Sequence, residues 1–152
     1  MLKEKKLKDR TKDWKELSST SHYKTALAIK EELKIGNIEE ANTGLEEMIE
    51  SLSRSDKRAL RSQLIRLMTH IIKWKPQPYR RSLSWVATIK NAREEIRDIQ
   101  DETPSLTDEV IQNMWIKCFN AAKREAEGQM NKITRISELS WKEVFEDSYE
   151  IE

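Results

Sequence analysis

Cysteine is nearly absent from the 152 residues. Only Cys118 is present, so neither an internal disulfide framework nor a cysteine-built metal site is expected. Histidine is almost as scarce: there are only His22 and His70, and neither has a glutamate three residues before it. The Glu-x-x-His pairs of bundle di-metal centres are therefore missing, and no metal or cofactor is expected. Three glycines and three prolines are too few for the many turns of a strand-rich fold. No apolar run approaches the ~20 residues that span a bilayer. The opening residues MLKEKKLKDRTKDWKE carry charge with no apolar stretch behind it, so a secretory signal is not expected and a cytoplasmic location is. A Gly-rich phosphate loop and a Gly-x-Ser-x-Gly elbow are also lacking.

What the chain has in abundance is charge, 36% of residues, and that charge is segregated. Residues 54–93 hold eleven Lys and Arg against Asp56 alone, a net +10, while the whole chain sums to +1. The flanks compensate: residues 17–53 carry −4 and residues 94–152 carry −8. Such a block either meets an anionic partner or is neutralised by the chain's own carboxylates.

Apolar spacing points to helices throughout. Residues 20–35 place Tyr23, Ala26, Leu27 and Leu33 at helical spacing behind a Ser21 cap, and Gly36-Asn37 reads as a stop. A second helix is predicted over about 38–52, with Ile38, Ala41, Leu45, Met48, Ile49 and Leu52 on one side. Gly44 is expected to weaken it by up to about 1 kcal/mol relative to Ala. A third begins with Ser55 as cap and Asp56 in the first turn. Its apolar arc is Leu60, Leu64, Ile65, Leu67, Met68, Ile71, Ile72 and Trp74, and its polar arc is Arg58, Ser62, Arg66, Thr69, His70 and Lys73. Pro76 and Pro78 end it. A fourth helix starts near Ser82 or Ser84 and a fifth near Thr107, the latter ending near Gly128 or a turn beyond. Ser140-Trp141-Lys142-Glu143 is a capping-box pattern for a short terminal helix. The expected fold is all-α: an antiparallel four-helix bundle with additional short terminal helices. Residues 1–18 form a Lys-rich extension and residues 19–152 one bundle domain.

The stretch IESLSRSDKRALRSQLIRLMTHIIKWKPQPYRRSLSWVATI, residues 49–89, resembles the core motif of a bacterial, largely cyanobacterial family, domain of unknown function 29. The resemblance rests on His70-x-x-Lys73-Trp74, Gln77-Pro78 and Arg81-Ser82-x-Ser84-Trp85-x-x-Thr88-Ile89, with Ile49 to Leu52, Leu60, Ser62 and Leu64 upstream. It extends more weakly over about residues 23–147. The family usually has Trp-Glu-Asn where this chain has Asn42-Thr43-Gly44, and a second Glu where it has Met48. The resemblance implies a four-helix bundle, makes Trp74, Gln77, Pro78, Ser84 and Trp85 its structural motif, and brings no established activity, substrate or cofactor.

Two functions from different classes fit these residues. The leading expectation is a non-enzymatic interaction module whose basic central hairpin binds an acidic protein or nucleic acid through Arg58, Arg66, Lys73, Lys75, Arg80 and Arg81. Basic side chains interleaved with Trp74, Tyr79 and Trp85 are the pattern that grips phosphates and stacks bases. The structural alternative has the tryptophans locking two helices and the arginines capping helix ends. The rival function is an enzyme or metal-binding protein with a bundle-core site of Glu47, Glu50 and His70; the alternative for His70 is a hydrogen bond to one of those carboxylates. A homo-oligomer using an exposed apolar stripe is a third reading.

Overall fold

The computed structural model describes residues 14–152; residues 1–13, most of the expected Lys-rich extension, lie outside the described residues. Every regular element among the described residues is helical. In order these are α1 (residues 14–20), α2 (His22–Lys34), α3 (Ile38–Trp74), a 3-10 turn (Pro78–Arg80), α4 (Leu83–Glu102), α5 (Asp108–Asn113), α6 (Trp115–Met130) and α7 (Trp141–Phe145). They fall into two compact units, the first ending at Asp56 and the second running from Lys57 to Glu152. None is long and apolar enough to cross a membrane.

Capping chemistry sets most ends. Ser21 accepts from the Lys24 amide at the start of α2. At its end Gly36 takes φ +83°, with its amide on the Leu33 carbonyl and the Asn37 amide on the Glu32 carbonyl. This paired closure needs a left-handed residue that glycine supplies without a Cβ penalty. The expected break at Ser55 is absent: α3 is one helix of 37 residues. Ser53-Arg54-Ser55-Asp56 contains neither Gly nor Pro, and Ser and Asp cost only a few tenths of a kcal/mol each inside a helix, too little to stop one.

The first unit has a small core of Trp14, Ile29 and Ala41, flanked by Leu17, Ala28 and Met48. The Trp14 indole N–H donates to Glu40 Oε2 at 2.9 Å, and the Ser51 hydroxyl donates to the Ser18 carbonyl at 2.7 Å. Packing at Gly44 leaves no room for a side chain: a Cβ there would lie 2.9 Å from the Trp14 ring and 2.9 Å from Ile29 Cγ1. The apolar stripe expected on α2 faces outward. Tyr23, Leu27 and Leu33 are exposed, whereas Thr25, Ile29 and Glu32 are buried. The inner arc can carry polar residues because Thr25 satisfies its hydroxyl on the Ser21 carbonyl and Glu32 accepts from Asn37, which lowers the penalty for burying them. On α3 likewise Ile38, Leu45, Ile49 and Leu52 are exposed while Ala41 is buried.

The second unit is built around Leu60, Leu64, Leu67, Met68, Ile71 and Ile72 of α3. Ile89, Ala92 and Ile96 of α4, Cys118, Phe119, Ala122 and Ala126 of α6, and Val144 of α7 close round them. Thr69 and Lys73, expected on the polar arc, are also buried. Thr69 donates back to the Ile65 carbonyl at 2.6 Å. Helix α6 ends past Gly128, at Asn131 with φ 53°. The capping box at Ser140 and Glu143 forms as predicted. The α7 segment is held by Arg93, whose guanidinium donates to the carbonyls of Val144 at 2.8 Å, Asp147 at 2.8 Å and Glu143 at 3.4 Å. Tyr149 adds its own bond to the Glu143 carbonyl at 2.7 Å.

Candidate functional site

The connector after α3 is where the basic block, the aromatics and the prolines meet. Its side chains divide into two sets.

The first set is consumed by the fold. Lys73 donates to Gln129 Oε1 at 2.7 Å and sits 4.8 Å above the Trp85 ring. Burial lowers its pKa from the ordinary lysine value, against the pull of Glu125. Arg81 donates to the Trp74 carbonyl at 2.9 Å and lies 4.6 Å above the Trp74 ring. It thus caps α3 and stacks on the helix's last residue. Lys75 pairs with Glu143. Burial pushes the Glu143 carboxyl up, but the Lys75 ammonium and the Ser140 cap outweigh it and hold it below the usual range. Trp74 is buried and meets Tyr149 edge-on at 5.5 Å. Gln77 is buried, Trp85 packs partly buried against the core, and Pro78 opens the 3-10 turn behind Gln77, whose carbonyl accepts from the Arg80 amide. Ser84 accepts at its carbonyl from Thr88, while Ser82, not Ser84, caps α4. Three of the six expected contact residues, Lys73, Lys75 and Arg81, therefore serve internal bonds.

The second set stays open. Arg58, Arg66 and Arg80 are exposed, and no ion pair among the described residues engages them. Arg58, Ser62 and Arg66 follow one another at four-residue spacing, which aligns them as a ridge on the outward side of α3. Tyr79, beside Arg80, is also exposed.

His70 forms no bond to Glu47 or Glu50. Its Nδ1 lies 3.0 Å from the Arg66 carbonyl on its own helix. Glu50 is exposed and pairs with Arg54 at 3.6 Å, and Glu47 is half-buried. No group of three or more His, Cys, Asp or Glu among the described residues is placed to hold a metal ion. Burial lowers the His70 pKa below 6.5; the bond to the Arg66 carbonyl opposes this, and the charges of Lys73 and Arg66 add to it. The folded state therefore binds fewer protons there than the unfolded chain does. Stability is expected to fall as pH drops from about 6.5 through the folded value, and to level off below it. Urea midpoints between about pH 7 and pH 5 should show this slope, and His70→Gln should flatten it.

A cleft of about 560 Å³ opens beside Lys75 and Pro76 and is otherwise lined by residues 132–136, including Lys132 and Arg135. Residues 132–140 have no periodicity for a sequence reading to use. Arg93 is a similar case, since in the sequence it is one more cation of the basic block.

The family model described as domain of unknown function DUF29 matches residues 23–149. The chain belongs to that family. The DUF29 match runs from the second residue of α2 through α7, takes in the whole connector, and leaves α1 outside it. No curated protein and no solved structure matches the chain.

Proposed function

We propose that this DUF29 chain is a non-enzymatic helical interaction module that presents the α3 ridge, with Arg80, to an acidic protein partner. The scaffold that goes with this reading is an antiparallel four-helix bundle. The single core shared by α3, α4, α6 and α7 in the second unit supports it. The observation that carries the functional reading is the division of the cations. Lys73, Lys75 and Arg81 have partners inside the protein, while Arg58, Arg66 and Arg80 are exposed without an ion pair among the described residues. An exposed guanidinium binds carboxylates through two parallel N–H bonds.

The aromatic side chains favour protein over nucleic acid. Base stacking needs an open ring face. Trp74 is buried beneath Arg81, and Lys73 covers Trp85. That leaves Tyr79 as the exposed aromatic of the connector.

Fluorescence titration of a labelled glutamate-rich peptide at low salt tests the reading. Binding should weaken with added salt, and Arg58→Glu with Arg66→Glu should weaken it at least about tenfold, since each reversal replaces attraction with repulsion. Absence of binding at low salt, or binding untouched by the two reversals, would refute it. Preference for a single-stranded oligonucleotide in the same assay would transfer the ridge to nucleic acid.

A further inference from the structure

Among its described residues the first unit keeps more large apolar side chains outside than in. Its core is Trp14, Ile29 and Ala41. Exposed are Tyr23, Leu27, Leu33, Ile35, Ile38, Leu45, Ile49 and Leu52, with Ile38 at 63% and Ile49 at 57%. A unit this small usually needs a staple or an oligomeric partner, and a contiguous exposed apolar patch marks a docking surface.

The pattern on α3 says what shape docks there. At 100° per residue Ile38, Leu45, Ile49 and Leu52 fall within an arc of about 60°. Ile38, Leu45 and Leu52 are seven residues apart. A seven-residue apolar repeat drifts only ~20° per repeat, so it forms a seam fitted to another helix running alongside. Nothing similar stands open in the second unit. Its exposed large apolar residues are Tyr79, Leu83, Ile116, Ile133 and Ile151, each on a different element or segment.

Charge identifies the occupant. The seam has an acidic edge on α3, where Glu39 and Glu46 are exposed, and a basic edge on α2, where Lys30 is exposed and Lys34, also exposed, pairs with Glu31 at 3.4 Å. A face with opposite edges is complementary to itself when rotated about a two-fold axis that runs along the helices. The acidic edge of one copy then meets the basic edge of the other. The alternative two-fold, across the helices, would set like charges together.

We infer that a second copy of this chain covers this face, giving a parallel two-fold dimer through the Ile38–Leu45–Leu52 seam of α3. The seam shares no residue with the Arg58–Arg66 ridge, so the dimer and the acidic-partner reading are tested by different substitutions.

Light scattering on the purified chain tests this. The mass should be twice the 18.0 kDa of one chain, falling toward a single chain on dilution. Lys30→Glu and Glu46→Lys should each weaken the dimer at least about tenfold, and together they should restore it. Because these are exposed positions, the rescue reads the interface rather than folding. Leu45→Cys should form a disulfide between copies under mild oxidation, as seam positions face each other across a parallel two-fold. A chain that stays single at all concentrations overturns the inference. So does a dimer that is indifferent to the charge swaps, or one that fails to cross-link at Leu45→Cys.

Discussion

Arg93→Ala is expected to lower the stability of the second unit by on the order of 3 kcal/mol and to release α7 from its place. The guanidinium bonds three main-chain carbonyls, those of Val144, Asp147 and Glu143, and lies 5.5 Å from the Tyr149 ring centroid. A hydrogen bond to a charged group contributes about 1.5–3 kcal/mol, and removing the donor leaves carbonyls without a partner. The two 2.8 Å bonds carry most of the effect. Burial lowers the Arg93 pKa, with Tyr149 and Asp147 opposing, but a guanidinium keeps its charge throughout the accessible pH range. Tyr149, in the same cluster, is pushed up to about 12, first by burial and then by the charges of Asp147 and Glu143. Arg93→Lys should not rescue the loss, because one ammonium cannot reproduce the fork that reaches separate carbonyls. Urea unfolding measures the loss, and hydrogen exchange at residues 141–149 locates it. A loss below about 1 kcal/mol, or unchanged exchange there, would show that the segment is held by its other contacts, the Lys75–Glu143 pair, the Tyr149 bond and aromatic packing.

Gly44→Ala should destabilise the first unit, the opposite of what helix propensity predicts. In an open helix the change would stabilise by up to about 1 kcal/mol. Here the new Cβ would stand 2.9 Å from two carbons of the Trp14 ring and 2.9 Å from Ile29 Cγ1. An indole is rigid, and Trp14 is also tied by its N–H to Glu40. It cannot turn aside without breaking a buried hydrogen bond. Overpacking of this kind costs about 1–3 kcal/mol. Thermal unfolding followed by Trp14 emission, with the other four tryptophans substituted, would read the first unit. A rise in its midpoint would mean that the helices separate freely at Gly44.

The same glycine shows where sequence and structure part. Periodicity locates α4 and the long apolar arc of α3 well, because an eight-residue arc such as Leu60 to Trp74 has only one face to bury; it finds the span of α2 but not its inner face, and it reads α5 and α6, which part at Met114, as one helix. Caps at Ser21, Thr107 and Ser140 are legible because a hydroxyl acts on an amide three residues away. Propensity fails at Ser55, where a good cap sequence lies inside a continuous helix. Nothing local forces an end there, and tertiary context decides. It fails on α2 because Thr25 and Glu32 satisfy their polar groups inside, which no hydropathy scale registers.

The basic block shows the other limit. Counting charges could not tell which cations the fold would use. Lys73, Lys75, Arg81 and Arg93 bond to groups as far away in sequence as Gln129, Glu143, the Trp74 carbonyl and the Asp147 carbonyl. The +10 block is thus partly structural, and a partner meets less than its full charge.

The wedge of Trp14 against Gly44 also bears on where the domain begins. The family match opens at residue 23, but the indole that fills the space over Gly44 lies nine positions upstream. A truncation designed on the family boundary would remove the largest of three buried apolar side chains from that unit. It would also leave the Glu40 carboxylate without its indole donor. The physically sound left edge for any shortened chain lies before Trp14.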